Sequence, residues 1–107
     1  MPTVRSADTA LARFRQALDE IYGNKLERVV LFGSRARGDA RPDSDYDIAV
    51  FLSMPDSFGD EAARLAAIET DILYDTGLVI NALPFHAGAY NEHTGLMSEL
   101  RRDGVDL

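Results

Sequence analysis

Gly33-Ser34-Arg35-Ala36-Arg37-Gly38-Asp39-Ala40-Arg41-Pro42-Asp43-Ser44-Asp45-Tyr46-Asp47-Ile48-Ala49-Val50 is the stretch on which the fold turns. Ahead of it Arg28-Val29-Val30-Leu31-Phe32 reads as a strand that runs out and breaks at Gly33-Ser34. A polar loop then carries Arg35, Arg37 and Arg41, and the chain re-enters an apolar strand led by Asp45 and Asp47. Successive strand side chains alternate faces, so these two aspartates project together while Tyr46, Ile48, Val50 and Leu52 go to burial. Two carboxylates on one face repel, and a divalent cation removes the repulsion; hard oxygen ligands suit magnesium. The Gly33-Ser34 turn offers backbone N–H groups and a hydroxyl at a helix start, where a phosphate can sit. A phosphate cradle facing a carboxylate metal site points to phosphoryl or nucleotidyl transfer.

Working outward, Asp8 or Ser6 is expected to cap a first helix. Its apolar stripe is Ala7, Leu11, Phe14, Leu18, Ile21 and Tyr22, and Gly23-Asn24 ends it. Leu26 to Phe32 is the first strand, and its run Val29-Val30-Leu31-Phe32, apolar on successive residues, suits burial on both faces. Ser34 to Arg37 is a short helix closed by Gly38, Asp39 to Ser44 a loop, and Asp45 to Leu52 the second strand. Ser57 caps a long helix from Phe58 or Asp60 to Thr76, with Ala62, Leu65, Ala66, Ile68, Glu69, Ile72 and Leu73 as its stripe and Gly77 as its stop. Leu78 to Leu83 is the third strand, ended by Pro84; a loop and a helix from about Gly95 to Asp103 follow, with Gly104 as the stop. The order α-β-α-β-α-β-α makes an α/β (α+β) domain, a small sheet with helices packed against it. The short link between the first two strands favours an antiparallel or mixed sheet.

A chain of 107 residues with 46% hydrophobic and 27% charged residues is expected to form one domain, 1–107, with a modest core. The absence of cysteine excludes disulfides and thiolate metal sites. No apolar run approaches a membrane span, and the first residues lack the apolar core of a signal peptide, so a cytoplasmic location is expected. The net charge of -7 argues against long-range attraction to nucleic acid or to an anionic membrane. A polyphosphate must be held locally, by the arginine-rich loop and by cations.

Gly-Ser, ten residues, Asp, one residue, Asp, with Gly38 inside and Ser44 before the first aspartate, resembles the signature of the minimal nucleotidyltransferases of the DNA polymerase β-like superfamily. The resemblance implies a nucleotidyltransferase fold. It implies that Gly33 and Ser34, with Arg35 and Ser44 beside them, bind the triphosphate of ATP, and that Asp45 and Asp47 hold Mg²⁺ and carry the catalysis. It also implies a setting, an antitoxin that transfers AMP to a tyrosine hydroxyl of a HEPN-type RNase toxin. The family usually places a third carboxylate on the third strand. Asn81 stands at the corresponding position here. An asparagine offers a neutral oxygen but is no general base. Two rivals follow: a non-catalytic antitoxin of the same fold that neutralises its partner by binding, and a small-molecule nucleotidyltransferase, which lacks its acceptor-binding domain here.

The remaining polar residues read more plainly. Arg37 and Arg41 are solvated loop charges, with Asp43 balancing them. His86 and His93 have no metal-ligand spacing and belong at the surface. Tyr46, Tyr74 and Tyr90 suit core or sheet-edge packing, and Asp71 and Asp75 the solvated face of the long helix. Leu96, Met97, Leu100 and Val105 close the core or dock on a partner.

Overall fold

The computed structural model describes residues 3–107, with side chains from Asp8 onward. Helix α1 (Thr3–Tyr22) passes through a 3-10 turn into strand β1 (Leu26–Phe32). A single helical turn, α2 (Ser34–Arg37), and a loop lead to β2 (Tyr46–Leu52). Then come α3 (Phe58–Thr76), β3 (Ile80–His86), a 3-10 turn (Ala87–Asn91), α4 (Gly95–Asp103) and β4 (Val105–Asp106). The four strands form one mixed sheet in the order β3-β2-β1-β4. β1 is antiparallel to β2 and to β4, and β2 is parallel to β3. None of the described helices is long and apolar enough to cross a membrane.

Both faces of the sheet are covered, which is why Val29 to Phe32 of β1 and Ile48 to Leu52 of β2 read as unbroken apolar runs. On one face Phe14 and Leu18 of α1 and Leu65 and Ile72 of α3 pack on Val29, Leu31, Ile48, Val50 and Leu52. On the other, Met97 and Leu100 of α4 and Ala89 of the second 3-10 turn pack on Val30, Phe32, Ala49 and Phe51. Met97 and Leu100 therefore close the core, whereas Leu96 and Val105 of the same segment stay largely exposed.

Several boundaries differ from the sequence expectation. Helix α1 begins at Thr3 and runs through Ser6 and Asp8, so neither is its cap. The Ala7 side chain lies outside the described residues. Ile21 is exposed and Ala10 takes the buried place instead. In α3 the core side is narrower than predicted: Leu65, Ile68 and Ile72 are buried, while Ala62, Ala66 and Leu73 are exposed. Tyr74 is 82% exposed and packs in no core. The Ser57 hydroxyl accepts from the Asp60 N–H, and Gly77 closes α3 in the left-handed conformation at φ 77°, both as expected. β4 was too short to carry a strand signal.

β3 does not stop at Pro84 but continues to His86, with Pro84 opposite Val50. The reason is its edge position. In a parallel strand alternate N–H groups point to one neighbour. The Ala82 N–H points away from β2 and donates to Glu69 Oε2 on α3 at 2.9 Å. Pro84, two residues on, lacks its N–H on that same outer side, where no strand needs it.

One buried polar cluster went unread in the sequence. Glu61, on the first turn of α3, is 3% exposed. It accepts from the Tyr22 hydroxyl at 2.9 Å, the Asp56 N–H at 2.9 Å and the Arg64 guanidinium at 2.7 Å. Burial alone would raise its pKa. The bonds from Asp56, Arg64 and Tyr22 outweigh burial and leave it below the usual carboxylate range. The Tyr22 phenol is pushed up to about 12, first by burial and then by Glu61. Because the folded carboxylate is the stronger acid, its contribution is fully present above the ordinary Glu value of about 4.3 and fades as pH falls through the lower folded value. Glu61→Ala, which leaves the Asp56 N–H and the Tyr22 hydroxyl without their acceptor, is expected to cost roughly 3 kcal/mol in urea unfolding at pH 7. Glu61→Gln should flatten the loss of stability below about pH 4.3.

Candidate active site

The candidate site lies where β1 ends and β2 begins. Phe32, the last residue of β1, pairs with Asp47, so the turn after β1 meets the aspartates at the entry of β2. Gly33 has φ 74° and ψ -156°, a backbone that side-chain-bearing residues rarely adopt. A Cβ built there would sit 2.6 Å from Asp47 Oδ2. Glycine is therefore required twice, by its dihedrals and by the carboxylate packed against it. The bonds of α2 start with the Ala36 and Arg37 N–H groups, both to the Gly33 carbonyl at 3.1 Å. The Ser34 and Arg35 N–H groups are thus the first-turn donors that a helix leaves over. Gly38 closes α2 at φ 85°.

Asp47 is half-buried and Asp45, just ahead of β2, is exposed. Strand alternation puts both on the α4 face of the sheet, in line with Ala49 and Phe51. Asn81 of β3 lies directly across from Asp47 in the parallel register. Its Nδ2 donates to Asp47 Oδ1 at 3.3 Å. The structure thus brings Gly33, Asp47 and Asn81 together: one carboxylate oxygen faces the glycine turn and the other meets the amide. Among the described residues no group of three or more His, Cys, Asp or Glu side chains is placed to hold a metal. The acids at the site are a pair, with an amide completing the set.

Arg35 and Ser44 are engaged in the loop itself. The Arg35 guanidinium donates from Nε and Nη2 to the Ser44 carbonyl at 3.2 and 2.9 Å, and from Nη2 to the Pro42 carbonyl at 3.2 Å. It also lies over the Tyr46 ring, 4.3 Å from its centroid. The Ser44 hydroxyl accepts from the Arg41 N–H at 2.9 Å, and the Ser44 N–H returns a bond to the Arg41 carbonyl at 3.0 Å. Arg37 is not simply solvated: it pairs with Asp39 and, across to α4, with Glu99, each at 3.3 Å. Asp43, expected to balance the arginines, forms no ion pair with them among the described residues, because Asp39, Glu99 and the loop carbonyls take that place. No sequence signal marked Glu99, which lies 62 residues from Arg37. His86 sits 3.5 Å from Glu92, and both it and His93 are exposed. Tyr90 packs edge-on against Phe51 with centroids 5.5 Å apart, a core role as expected. Asp71 and Asp75 are exposed, Asp75 pairing with Arg13 at the surface. A groove of about 480 Å³ lies elsewhere, between α1 and the carboxyl end, lined by Leu11, Arg15, Asp19 and Leu107 among others, and shares no residue with the aspartate site.

Known proteins resemble the chain in sequence and in fold. The family model described as "Nucleotidyltransferase domain" matches residues 11–94, a span that contains the glycine turn, both aspartates and Asn81. A protein of Methanocaldococcus jannaschii named "Putative protein adenylyltransferase MJ0604" is 37% identical over 76 residues, covering 71% of this chain and 70% of its own length. Among solved structures, one titled "Structure of putative minimal nucleotidyltransferase" superposes with a TM-score of 0.60 at 24% identity over 94% of both chains. A toxin–antitoxin structure with AMP-PNP superposes with a TM-score of 0.64 at 18% identity, over 89% of this chain and 69% of that one. By the match of the family model and of the curated relative, the chain belongs to the nucleotidyltransferase-domain family, and it has the fold of the minimal nucleotidyltransferases.

Proposed function

We propose that this nucleotidyltransferase transfers AMP from ATP to a hydroxyl of a partner protein, a tyrosine of a HEPN-type RNase toxin, and so serves as an antitoxin. The observation that carries the proposal is the packing of the Asp47 carboxylate against the Cβ-less Gly33 turn, with Asp45 on the same side. The glycine turn, with its spare N–H groups, and the acidic pair then adjoin. The relative named as a protein adenylyltransferase supports the acceptor class. The likeness to a toxin–antitoxin structure with AMP-PNP supports the setting.

The donor chemistry suits a divalent cation. Asp45 and Asp47 offer hard carboxylate oxygens, which magnesium prefers, and they are the residues that would hold it. Bound there, magnesium supplies charge neutralisation on the phosphates and on the leaving pyrophosphate. The Ser34 and Arg35 N–H groups and the Ser34 hydroxyl hold the triphosphate from the other side. The acceptor hydroxyl oxygen forms a bond to the α-phosphorus while the bond from that phosphorus to the α,β-bridging oxygen breaks; pyrophosphate leaves and the hydroxyl proton passes to water. Asn81 holds Asp47 in orientation through its amide and takes no proton.

A second proposal is favoured by that same Asn81: binding alone silences the partner. Suppression of toxicity that survives Asp45→Asn/Asp47→Asn supports it, whereas loss of suppression supports transfer.

Incubation of the chain and its partner with labelled ATP is expected to label the partner, and Asp45→Asn or Asp47→Asn to lower labelling by roughly 100-fold or more. Gly33→Ala is expected to abolish labelling and to lower the melting temperature. The positive-φ backbone at Gly33, in a region essentially reserved for glycine, costs about 1–3 kcal/mol with a Cβ, and the contact with Asp47 adds to it. Asn81→Asp restores a third acid, so a Mn²⁺ titration monitored by electron paramagnetic resonance should show about one additional bound ion.

A further inference from the structure

The Arg35 guanidinium lies in a setting made by the loop rather than held open for a ligand. Its fork bonds two carbonyls, Pro42 and Ser44, that sit just ahead of Asp45. Its face covers Tyr46, the residue between the two aspartates. Tyr46 is itself buried, at 8% exposure, and its N–H donates to the Val79 carbonyl at 2.9 Å, tying the entry of β2 to the approach of β3. The Ser44–Arg41 exchange of bonds tightens the same turn. One side chain on α2 therefore joins the helical turn after Gly33 to the backbone just ahead of Asp45 and to the ring just after it. A lysine reproduces this poorly, since its ammonium, although it has three donors, offers neither a rigid planar fork nor a flat face to stack on a ring.

We infer that Arg35 is a positioning residue. It fixes the loop 39–44 and the ring of Tyr46 so that Asp45 and Asp47 are presented to the Gly33 turn, and it acts on the cation site through them rather than by binding phosphate. This deepens the proposed function and rests on the cation role of Asp45 and Asp47 stated there.

The contrast with a phosphate ligand gives the test. A residue that contributes charge to the triphosphate is substantially rescued by lysine; a residue that forks and stacks is not. Mn²⁺ affinity in the presence of AMP-PNP, read by electron paramagnetic resonance, is measured on the native chain and on Arg35→Ala, Arg35→Lys, Tyr46→Leu and Arg35→Ala/Tyr46→Leu. Circular dichroism melts show that each variant is folded. Displacing a ligand by about an ångström costs on the order of 100-fold in rate. Arg35→Ala and Arg35→Lys are accordingly expected to weaken Mn²⁺ by about tenfold or more and to lower AMP transfer by roughly 100-fold. The double variant should be no worse than Arg35→Ala beyond about threefold, because the two side chains act as one unit. Amide exchange at 39–46 should quicken in both Arg35 variants. Native Mn²⁺ affinity in Arg35→Ala, or recovery to within about threefold of native transfer in Arg35→Lys, overturns the positioning role and leaves the cation site standing. Failure of the native chain to bind Mn²⁺ with AMP-PNP overturns the cation site and this role together.

Discussion

The contact on which the site depends is the one between the Asp47 carboxylate and the backbone at Gly33, where a Cβ would come within 2.6 Å of Oδ2. It joins the end of β1 to the start of β2 at the single point where the antiparallel pair Phe32–Asp47 closes. A carboxylate is normally kept solvated, because burying its charge is costly. Here it is half-buried between a turn and an amide, an arrangement that favours a counter-charge. The rest of the domain serves that placement. Two helices cover one face of the sheet and a third covers the other, and this packing holds β1 and β2 in register where the site sits.

Much of this was legible in the sequence because local rules and the fold agree there. The apolar run Val29 to Phe32 ended by Gly33, the helical turn Ser34–Arg37 closed by Gly38, and the alternation from Asp45 to Leu52 each carry one strong local signal. Ser57 and Gly77 bracket α3 by side-chain capping and a left-handed stop, again local chemistry. The pairing of Asn81 with Asp47 was accessible only through a family resemblance, since 34 residues separate the two.

What the sequence hid was long-range or decided by position in the sheet. Pro84 ends a central strand but not an edge strand, and nothing local says which strand is at the edge. Ile21 and Leu73 fit a helical stripe, yet both are exposed where α1 and α3 pack on the sheet and on each other. Glu61 looks like any first-turn acid favourable to a helix start. Its burial follows from Tyr22 and Arg64 arriving from either side. The contacts of Arg35 with Pro42, Ser44 and Tyr46 likewise carry no local signal.

The β3 margin carries a consequence for how this protein meets other chains. Along that border one amide is satisfied by the Glu69 side chain, and two residues on the next donor is missing altogether because Pro84 stands there. An incoming strand would find no regular ladder to zip onto, so sheet extension and fibril-like stacking are discouraged on this flank. Whatever associates here must do so through side chains, which ties recognition to residue identity rather than to generic main-chain stickiness.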